Sequence, residues 1–288
     1  MWNLIANLII ILPLISSIIN GVWGNRLNKI NKNLSYYLSL FFMILTSVFS
    51  IFIFDYVGIL HHITHKKFFS WFNLENISVN FGIYIDSLSV IIMLLVNIIS
   101  TVIHIYSSGY MNYDKNIAKY FSYLSLFTFF MLLLVSSGNI LQMFLAWEGM
   151  GFCSYLMIGF WNEKDKANNA ALKAFIVNKI SDVALLIGFI LLIIYTGHSD
   201  LKYLLTHANM LSIKTANIFG FDMKIIEIIC SLIFVGVMGK SAQIAFHVWL
   251  PDAMEGPTPA SALIHAATMV VAGVFLIVRC SYIFQYAP

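Results

Sequence analysis

Apolar runs about 20 residues long recur from one end of this chain to the other, and no other feature restricts its fold as much. They fall at roughly 3–20, 37–57, 84–106, 120–137, 139–160, 171–195, 225–250 (with a break) and 258–284. Backbone N–H and C=O groups find no water inside a bilayer, so a spanning segment must be a helix or a strand of a closed barrel. No barrel-like two-residue alternation is visible, and barrel strands give a weaker hydropathy signal. The expected fold is therefore all-α: a polytopic transmembrane bundle of about eight helices. Charged residues make up 10% of the 288, far below the ~25% of soluble domains. The net charge of +3 is too small to suggest nucleic acid as a partner. The first run lacks a basic leader and a small-residue cleavage site, so it reads as a retained helix and not a signal peptide.

The loops carry the sidedness. Arg26, Lys29, Lys32, Lys115, Lys119, Lys164, Lys166 and Lys173 collect on one face, which the positive-inside rule assigns to the cytoplasm. Lys66, Lys67, Lys202, Lys214, Lys224 and Arg279 collect on the other, mostly in two long loops where that rule is weak. Ser137-Gly138-Asn139 is a tight turn between the fourth and fifth helices. Cys153, Cys230 and Cys280 are far apart with no C-x-x-C, which argues against a disulfide framework or an iron–sulfur site. His61, His62 and His65 lack an acidic or cysteine partner and make a poor metal site. Gly149-Met-Gly151 lacks the rest of a dinucleotide fingerprint and is better explained by close helix packing. His104, near the end of the third helix, is expected to be an interfacial cap.

An ionisable group near the bilayer centre costs at least ~2.5–3.5 kcal/mol, so those that persist there usually move ions or protons. Glu148 lies in the middle of the fifth helix, with Gly151 and Tyr155 on its face offering room and a hydroxyl. Lys179 and Asp182 stand three apart on the sixth helix, where they are placed to pair on one face. That pair is either a static device for insertion or a tuner of a neighbouring site. Lys240 ends the apolar part of the seventh helix, and a desolvated lysine loses its proton readily unless an anion holds it.

The run from Gly239 to His265 concentrates the rest. It holds Lys240, His247, Asp252, Glu255 and His265, together with Pro251, Pro257 and Pro259; the only earlier proline is Pro13. Prolines gathered at one joint predict an interrupted seventh helix between about Gln243 and Trp249. Thr258, Ser261, His265 and Thr268 follow a 3-4-3 spacing, which places them on one face of an eighth helix as a polar stripe suited to a proton relay.

Several longer motifs are more specific. They are Trp147-Glu-Gly-Met-Gly-Phe-Cys-Ser-Tyr-Leu-Met-Ile-Gly-Phe-Trp161, Gly239-Lys-Ser-Ala-Gln243, Met254-Glu-Gly-Pro-Thr-Pro259 and Ser261-Ala-Leu-Ile-His-Ala-Ala-Thr-Met269. Ile19-Asn-Gly-Val-Trp-Gly24 and Ile105-Tyr-Ser-Ser-Gly-Tyr-Met111 add to them. In these motifs the chain resembles the antiporter-like L-type subunits of proton-translocating NADH:quinone oxidoreductase, respiratory complex I, and their mitochondrial counterparts.

The resemblance implies that Glu148 and Lys240 are the proton-pumping pair, with Asp182 and Lys179 tuning them. It also implies that His265 is the central relay, with His247, Ser261 and Thr268 in support. It divides the chain into three N-terminal helices over 1–119 and a first antiporter-like repeat, helices 4–8, over 120–288. A second repeat would follow Pro288, so the chain is either the first part of a longer protein or a shortened descendant. No cofactor is expected here; NADH, FMN, iron–sulfur clusters and quinone would sit on other subunits. The implied partners are other membrane subunits, especially a neighbouring antiporter-like one, and the implied location is a bacterial or mitochondrial inner membrane. One departure stands out: Ala245 occupies a position where bacterial relatives commonly have proline. The competing readings are the large subunit of a multisubunit cation/proton antiporter and a truncated scaffold without a complete proton path. A redox catalytic subunit is disfavoured, because no flavin, nicotinamide or cluster motif is present.

Overall fold

The computed structural model describes residues 2–31, 33–74, 77–212, 214–218 and 221–287. Lys32 and Pro288, both used above, lie outside the described residues. The long helices are α1 (Trp2–Ile30), α2 (Leu34–Ile53), α3 (Ser87–Tyr110), α4 (Ile117–Val135), α5 (Ile140–Ile158) and α6 (Asp165–Thr196). After the short α7 (Leu201–Thr206) come α8 (Ile225–Lys240), α9 (Thr258–Ala266), α10 (Met269–Arg279) and the short α11 (Ser281–Phe284). Among the described residues six segments are long and apolar enough to cross a membrane: α1, α2 with its extension to Ile59, α3, α4, α6 and the stretch Thr258–Arg279. Helices α5 and α8, read as spans in the sequence, are 19 and 16 residues long and carry embedded charge. The protein is a polytopic helical membrane bundle.

Two small hairpins join this bundle where the sequence suggested only loops. Strand β1 (Thr64–Leu74) pairs antiparallel with β2 (Ile77–Ile85), and β3 (Thr215–Ile218) pairs with β4 (Phe221–Lys224). The apolar run at 84–106 hid the first of these, because β2 and α3 are both apolar and only Asp86 separates them. Its carboxylate accepts the Ser89 amide at 3.0 Å and starts α3. The same hairpin is stitched to the turn between α4 and α5: Gly138 N–H donates to the Gly82 carbonyl at 3.2 Å.

The loops sort to two faces as their basic residues predict. On the first face Tyr110 meets Thr258 at 3.3 Å, Trp161 donates to Asp114 at 3.1 Å and Lys173 pairs with Asp252 at 2.7 Å. On the second face the buried Arg279 donates to Asp86 at 2.9 Å and to Ser89 Oγ at 2.6 Å. Helix α6 is 32 residues, about 48 Å at ~1.5 Å per residue, so its basic start stands clear of a ~30 Å core. Its Ile176, Ile180, Val183, Ile187 and Ile194 form an exposed lipid-facing stripe.

Apolar lipid gives helices no hydrophobic reason to associate, so small and polar residues bind them. Ser16 meets Ser125 at 3.1 Å and Ser39 at 3.3 Å, joining α1 to α4 and α2. Ser100 meets Thr128 at 2.7 Å, joining α3 to α4. His104 belongs to this network and is no interfacial cap: it is fully buried, with Nδ1 2.7 Å from the Ser100 carbonyl and Nε2 3.4 Å from Ser125 Oγ. Phe121 and Ser125 of α4 pack against it, so a position near a helix end in sequence is interior in the fold.

Candidate functional site

The embedded charges converge where α5, α6 and α8 meet, and they pair across helices. Lys179 does not pair with Asp182 along α6 as the spacing suggested. Lys179 donates to Glu148 on α5, while Asp182 faces Lys240 on α8, with Nζ 3.3 Å from Oδ2. Helix α6 thus contributes one member to each of two ion pairs. The pairs differ in setting. The Lys179 and Glu148 side chains are 44% and 24% exposed, whereas those of Lys240 and Asp182 are 0% and 3% exposed. The Glu148–Lys240 pair implied by resemblance is not formed in this state; each partner is engaged by the sixth helix instead.

Trp147 decides how Asp182 is held, and sequence reasoning gave it no role. Its indole Nε1 donates to Asp182 Oδ1 at 2.7 Å, and its ring lies 5.8 Å from the Lys240 ammonium. It is fully buried. One carboxylate oxygen therefore takes a neutral hydrogen bond and the other faces the lysine. The lysine meets its anion by charge alone, since Nζ makes no hydrogen bond of good geometry among the described residues. An ammonium held this way retains N–H groups that transient water can accept.

Close backbone approach makes this possible. A Cβ on Gly151 would lie 2.7 Å from Lys240 Nζ, so glycine lets the ammonium sit close against α5. A Cβ on Gly239 would collide with the Ser181 hydroxyl, so glycine also sets the contact of α8 with α6. Tyr155, expected to offer a hydroxyl on this face, instead packs its ring against Phe175, with centroids 5.5 Å apart.

Helix α8 stops at Lys240, and the chain runs irregularly to Pro257. The break was expected between Gln243 and Trp249; it opens slightly earlier. Ala242 and Ala245 take φ of 49° and 75°, which no helix accommodates. Trp249 is buried and its Nε1 donates at 3.0 Å to the Gly239 carbonyl, which also accepts the Ala242 N–H at 3.2 Å in the turn that ends α8. His247 is exposed in the following turn.

The eighth helix is also interrupted, which the sequence did not suggest. Helix α9 ends at Ala266 and α10 begins at Met269, so Thr268 leaves the face that carries Thr258, Ser261 and His265. Thr268 Oγ1 donates to the Leu263 carbonyl at 2.7 Å and Ser261 Oγ to the Ala253 carbonyl at 3.2 Å. Neither hydroxyl contacts the histidine, so the expected continuous stripe is not a hydrogen-bonded chain. His265 Nε2 has no partner among the described residues. The two breaks lie side by side: Ser241 Oγ donates to the Val270 carbonyl at 3.0 Å.

Comparison with known proteins adds the lineage. The family described as NADH:quinone oxidoreductase/Mrp antiporter, TM, matches residues 137–288, which hold all of these groups. The chain belongs to this NADH:quinone oxidoreductase/Mrp antiporter family. A second family, the N-terminus of complex I chain 5, matches residues 71–121. NADH-quinone oxidoreductase subunit L of Rickettsia typhi is 52% identical over 99% of this chain and 43% of its own length. NADH-ubiquinone oxidoreductase chain 5 of Dictyostelium discoideum is 43% identical over 96% of this chain and 41% of its own length. The chain spans less than half the length of these relatives. Among solved structures, the Mrp complex from Dietzia sp. DQ12-45-1b superposes with a TM-score of 0.78 at 25% identity, covering 96% of this chain and 27% of that one. An archaeal membrane-bound sulfane sulfur reductase superposes with a TM-score of 0.81 at 20% identity, covering 98% of this chain and 54% of that one, and shares the fold.

Membership in the NADH:quinone oxidoreductase/Mrp antiporter family does not by itself assign the cross-pairing. Glu148, Lys179, Asp182 and Lys240 were each visible as charges in apolar helices. Which charge meets which depends on how α5 and α8 rotate against α6, and the glycine contacts decide that.

Proposed function

We propose that this chain forms the first, proton-conducting half of an antiporter-like subunit of proton-translocating NADH:quinone oxidoreductase in a bacterial or mitochondrial inner membrane. The observation that carries the reading is the buried Lys240–Asp182 pair at the end of a broken helix, beside a second, partly exposed Lys179–Glu148 pair on the same α6. Electron carriers, quinone and neighbouring antiporter-like subunits belong to the rest of the complex.

The mechanism follows from competition. Lys240 keeps its proton while an anion is near, because roughly 5 kcal/mol of attraction acts at 3.3 Å and an effective dielectric of ~20. Glu148 is the alternative partner for Lys240, and here Lys179 draws it away. Exchange of partners on α6 therefore raises or lowers the anionic charge around Lys240 and drives uptake or release of its proton. The released proton would leave through water at the paired breaks, with His265 as the next acceptor and His247, Ser261 and Thr268 along the route.

In sealed vesicles of the intact complex, Lys240→Ala and Glu148→Ala should lower the proton-to-electron ratio. Reduction of a hydrophilic acceptor by NADH should continue. An unchanged ratio in both variants would reject proton conduction here and favour a scaffold role. The likeness to the Mrp complex supports one further reading, cation/proton antiport. A sodium gradient that drives proton movement through the wild type but not through Lys240→Ala would favour that alternative.

A further inference from the structure

Helix α6 places a further polar group beside the two ion pairs, and it belongs to neither. Asn178 stands one turn before Asp182 on the same face, is 2% exposed, and donates from Nδ2 to the Ala174 carbonyl at 2.7 Å. A carbonyl only accepts, so the amide nitrogen must point that way and Oδ1 is the free end. Among the described residues Oδ1 has no hydrogen-bond partner. It faces the last turn of α8: a Cβ on Gly239, the residue before Lys240, would lie 3.8 Å from it and would collide with the Ser181 hydroxyl. Bare glycine thus keeps two oxygens, Asn178 Oδ1 and Ser181 Oγ, against the end of α8.

Buried acceptors rarely stay unpaired, and the donors around this one are spent. Ser181 Oγ donates to the Asn178 backbone carbonyl at 2.7 Å, and the Trp249 indole donates to the Gly239 carbonyl at 3.0 Å. The Trp147 indole donates to Asp182 at 2.7 Å, and Lys179 donates to Glu148. The Lys240 ammonium is different. It carries three N–H groups, faces Asp182 by charge, and makes no hydrogen bond of good geometry among the described residues. A free donor and a free acceptor therefore stand, both buried, at the junction of α6 and α8. Four residues along α6 are a rise of ~6 Å, and one water with two bonds of ~2.8 Å spans about that distance. Such a water donates to Asn178 Oδ1 and to Ser181 Oγ and accepts from Lys240, the three partners usual for a buried water.

We infer that Asn178 is a positioning residue for proton transfer to Lys240: its amide oxygen holds the water through which the lysine is loaded. Helix α6 starts at the first face, where Lys173 pairs with Asp252 of the loop that follows α8, so Asn178 lies on the first-face side of the Lys240–Asp182 pair. A proton arriving from that side binds the water as hydronium and passes to the neutral Lys240 Nζ. One O–H bond breaks, one N–H bond forms, and the water remains. Asp182 then holds the new ammonium by charge. The inference rests on proton conduction by Lys240 and adds the residue that orients the incoming proton.

The test uses the intact complex in sealed vesicles and compares Asn178→Leu with Asn178→Thr. Leucine keeps the size and removes the acceptor. Threonine keeps it, because its hydroxyl donates to the Ala174 carbonyl one turn back, as the amide does, and its oxygen still accepts. Asn178→Leu should slow proton pumping about tenfold, the worth of one hydrogen bond to a charged group, and raise its solvent deuterium isotope effect. Asn178→Thr should restore both, and reduction of a hydrophilic acceptor by NADH should stay normal throughout. Asn178→Ala, which removes the acceptor without adding bulk, carries the test if the leucine variant does not assemble. Wild-type pumping in Asn178→Leu, while Lys240→Ala does not pump, overturns this inference alone. So does equal slowing in the leucine and threonine variants with the wild-type isotope effect, which marks a packing role. Normal pumping in Lys240→Ala overturns the underlying reading instead.

Discussion

Replacing Asp182 by Asn is the sharpest perturbation of the paired charges. The amide keeps the shape and still accepts from the Trp147 indole, which sits 2.7 Å away, but the charge opposite Lys240 is gone. At 3.3 Å and an effective dielectric of ~20, roughly 5 kcal/mol of attraction is lost. Two outcomes are open to the lysine. Either the ammonium stays without compensation, which costs about 3–5 kcal/mol of stability, or its proton is given up and the exchange cycle has nothing to release. Both stop pumping.

The decisive control is the double variant Asp182→Asn with Lys240→Met. Removing both members of a buried pair is often close to neutral, whereas breaking one is not. Assembly of the complex, read on native gels, should therefore fall in the single variant and recover in the double, while proton movement in vesicles stays absent in both. Glu148→Gln should behave differently. Its pair with Lys179 is partly exposed and such pairs are worth only about 0–1 kcal/mol, so pumping should fall with assembly intact. Normal proton-to-electron stoichiometry in Asp182→Asn would refute this reasoning, as would a double variant that assembles no better than the single.

Four further outcomes follow from specific contacts. Trp147→Phe removes the indole donor to Asp182 and should lower stability by about 1–3 kcal/mol in thermal unfolding, with slower pumping. Gly151→Ala puts a methyl 2.7 Å from Lys240 Nζ, which must shift, and should lower pumping, whereas Gly109→Ala, with nothing within 4 Å, should leave it intact in the same vesicle assay. Asp86, at the membrane edge, is pushed up by burial, but its hydrogen bond and charge contact with Arg279 and the Ser89 amide outweigh this and hold its carboxyl below the usual range. Its contribution is thus complete above the unfolded value near ~3.9 and lost as pH falls through the lower folded one; Asp86→Asn should flatten that acid limb of a pH–stability curve and cost about 3–5 kcal/mol near neutrality by stranding buried Arg279. Ala245→Gly should be neutral or stabilising by about 1 kcal/mol, and Ala245→Pro should destabilise by about 3 kcal/mol or more, both measured by thermal unfolding.

Much of the fold was legible because the bilayer leaves few choices. A run such as 171–195 in a chain with 10% charge can hardly be anything but a spanning helix, and α6 contains it. The hairpin β1–β2 was hidden because β2 and α3 are both apolar and hydropathy does not distinguish a strand leading into a helix. The charges were legible one by one, since each is costly where it lies. Their pairing was not. Spacing on one helix favoured Lys179 with Asp182, but three residues apart on a helix does not prevent both side chains from turning to different neighbours. Glu148 and Lys240 supplied those neighbours. His104 escaped in the opposite direction: nothing in its own helix reveals that Phe121 and Ser125 of α4 pack against it.

The break after Lys240 shows where resemblance and geometry part. The resemblance implies a proline commonly standing where this chain has Ala245, and a proline there would lock the backbone near φ of about –65°. Ala245 has φ of 75°, a region that proline cannot enter and that alanine occupies at a cost of roughly 1–2 kcal/mol. The interruption therefore rests here on local turns at Ala242 and Ala245, on the Trp249 indole bonded to Gly239 and on Ser241 bonded to the neighbouring break at Val270. The Ser241 contact ties the open end of α8 to α10, while the Met238, Gly239 and Gln243 carbonyls stay paired within the turns that follow. Two broken helices joined near their open ends place irregular backbone directly after the buried lysine, where the proposed proton exit from Lys240 would begin.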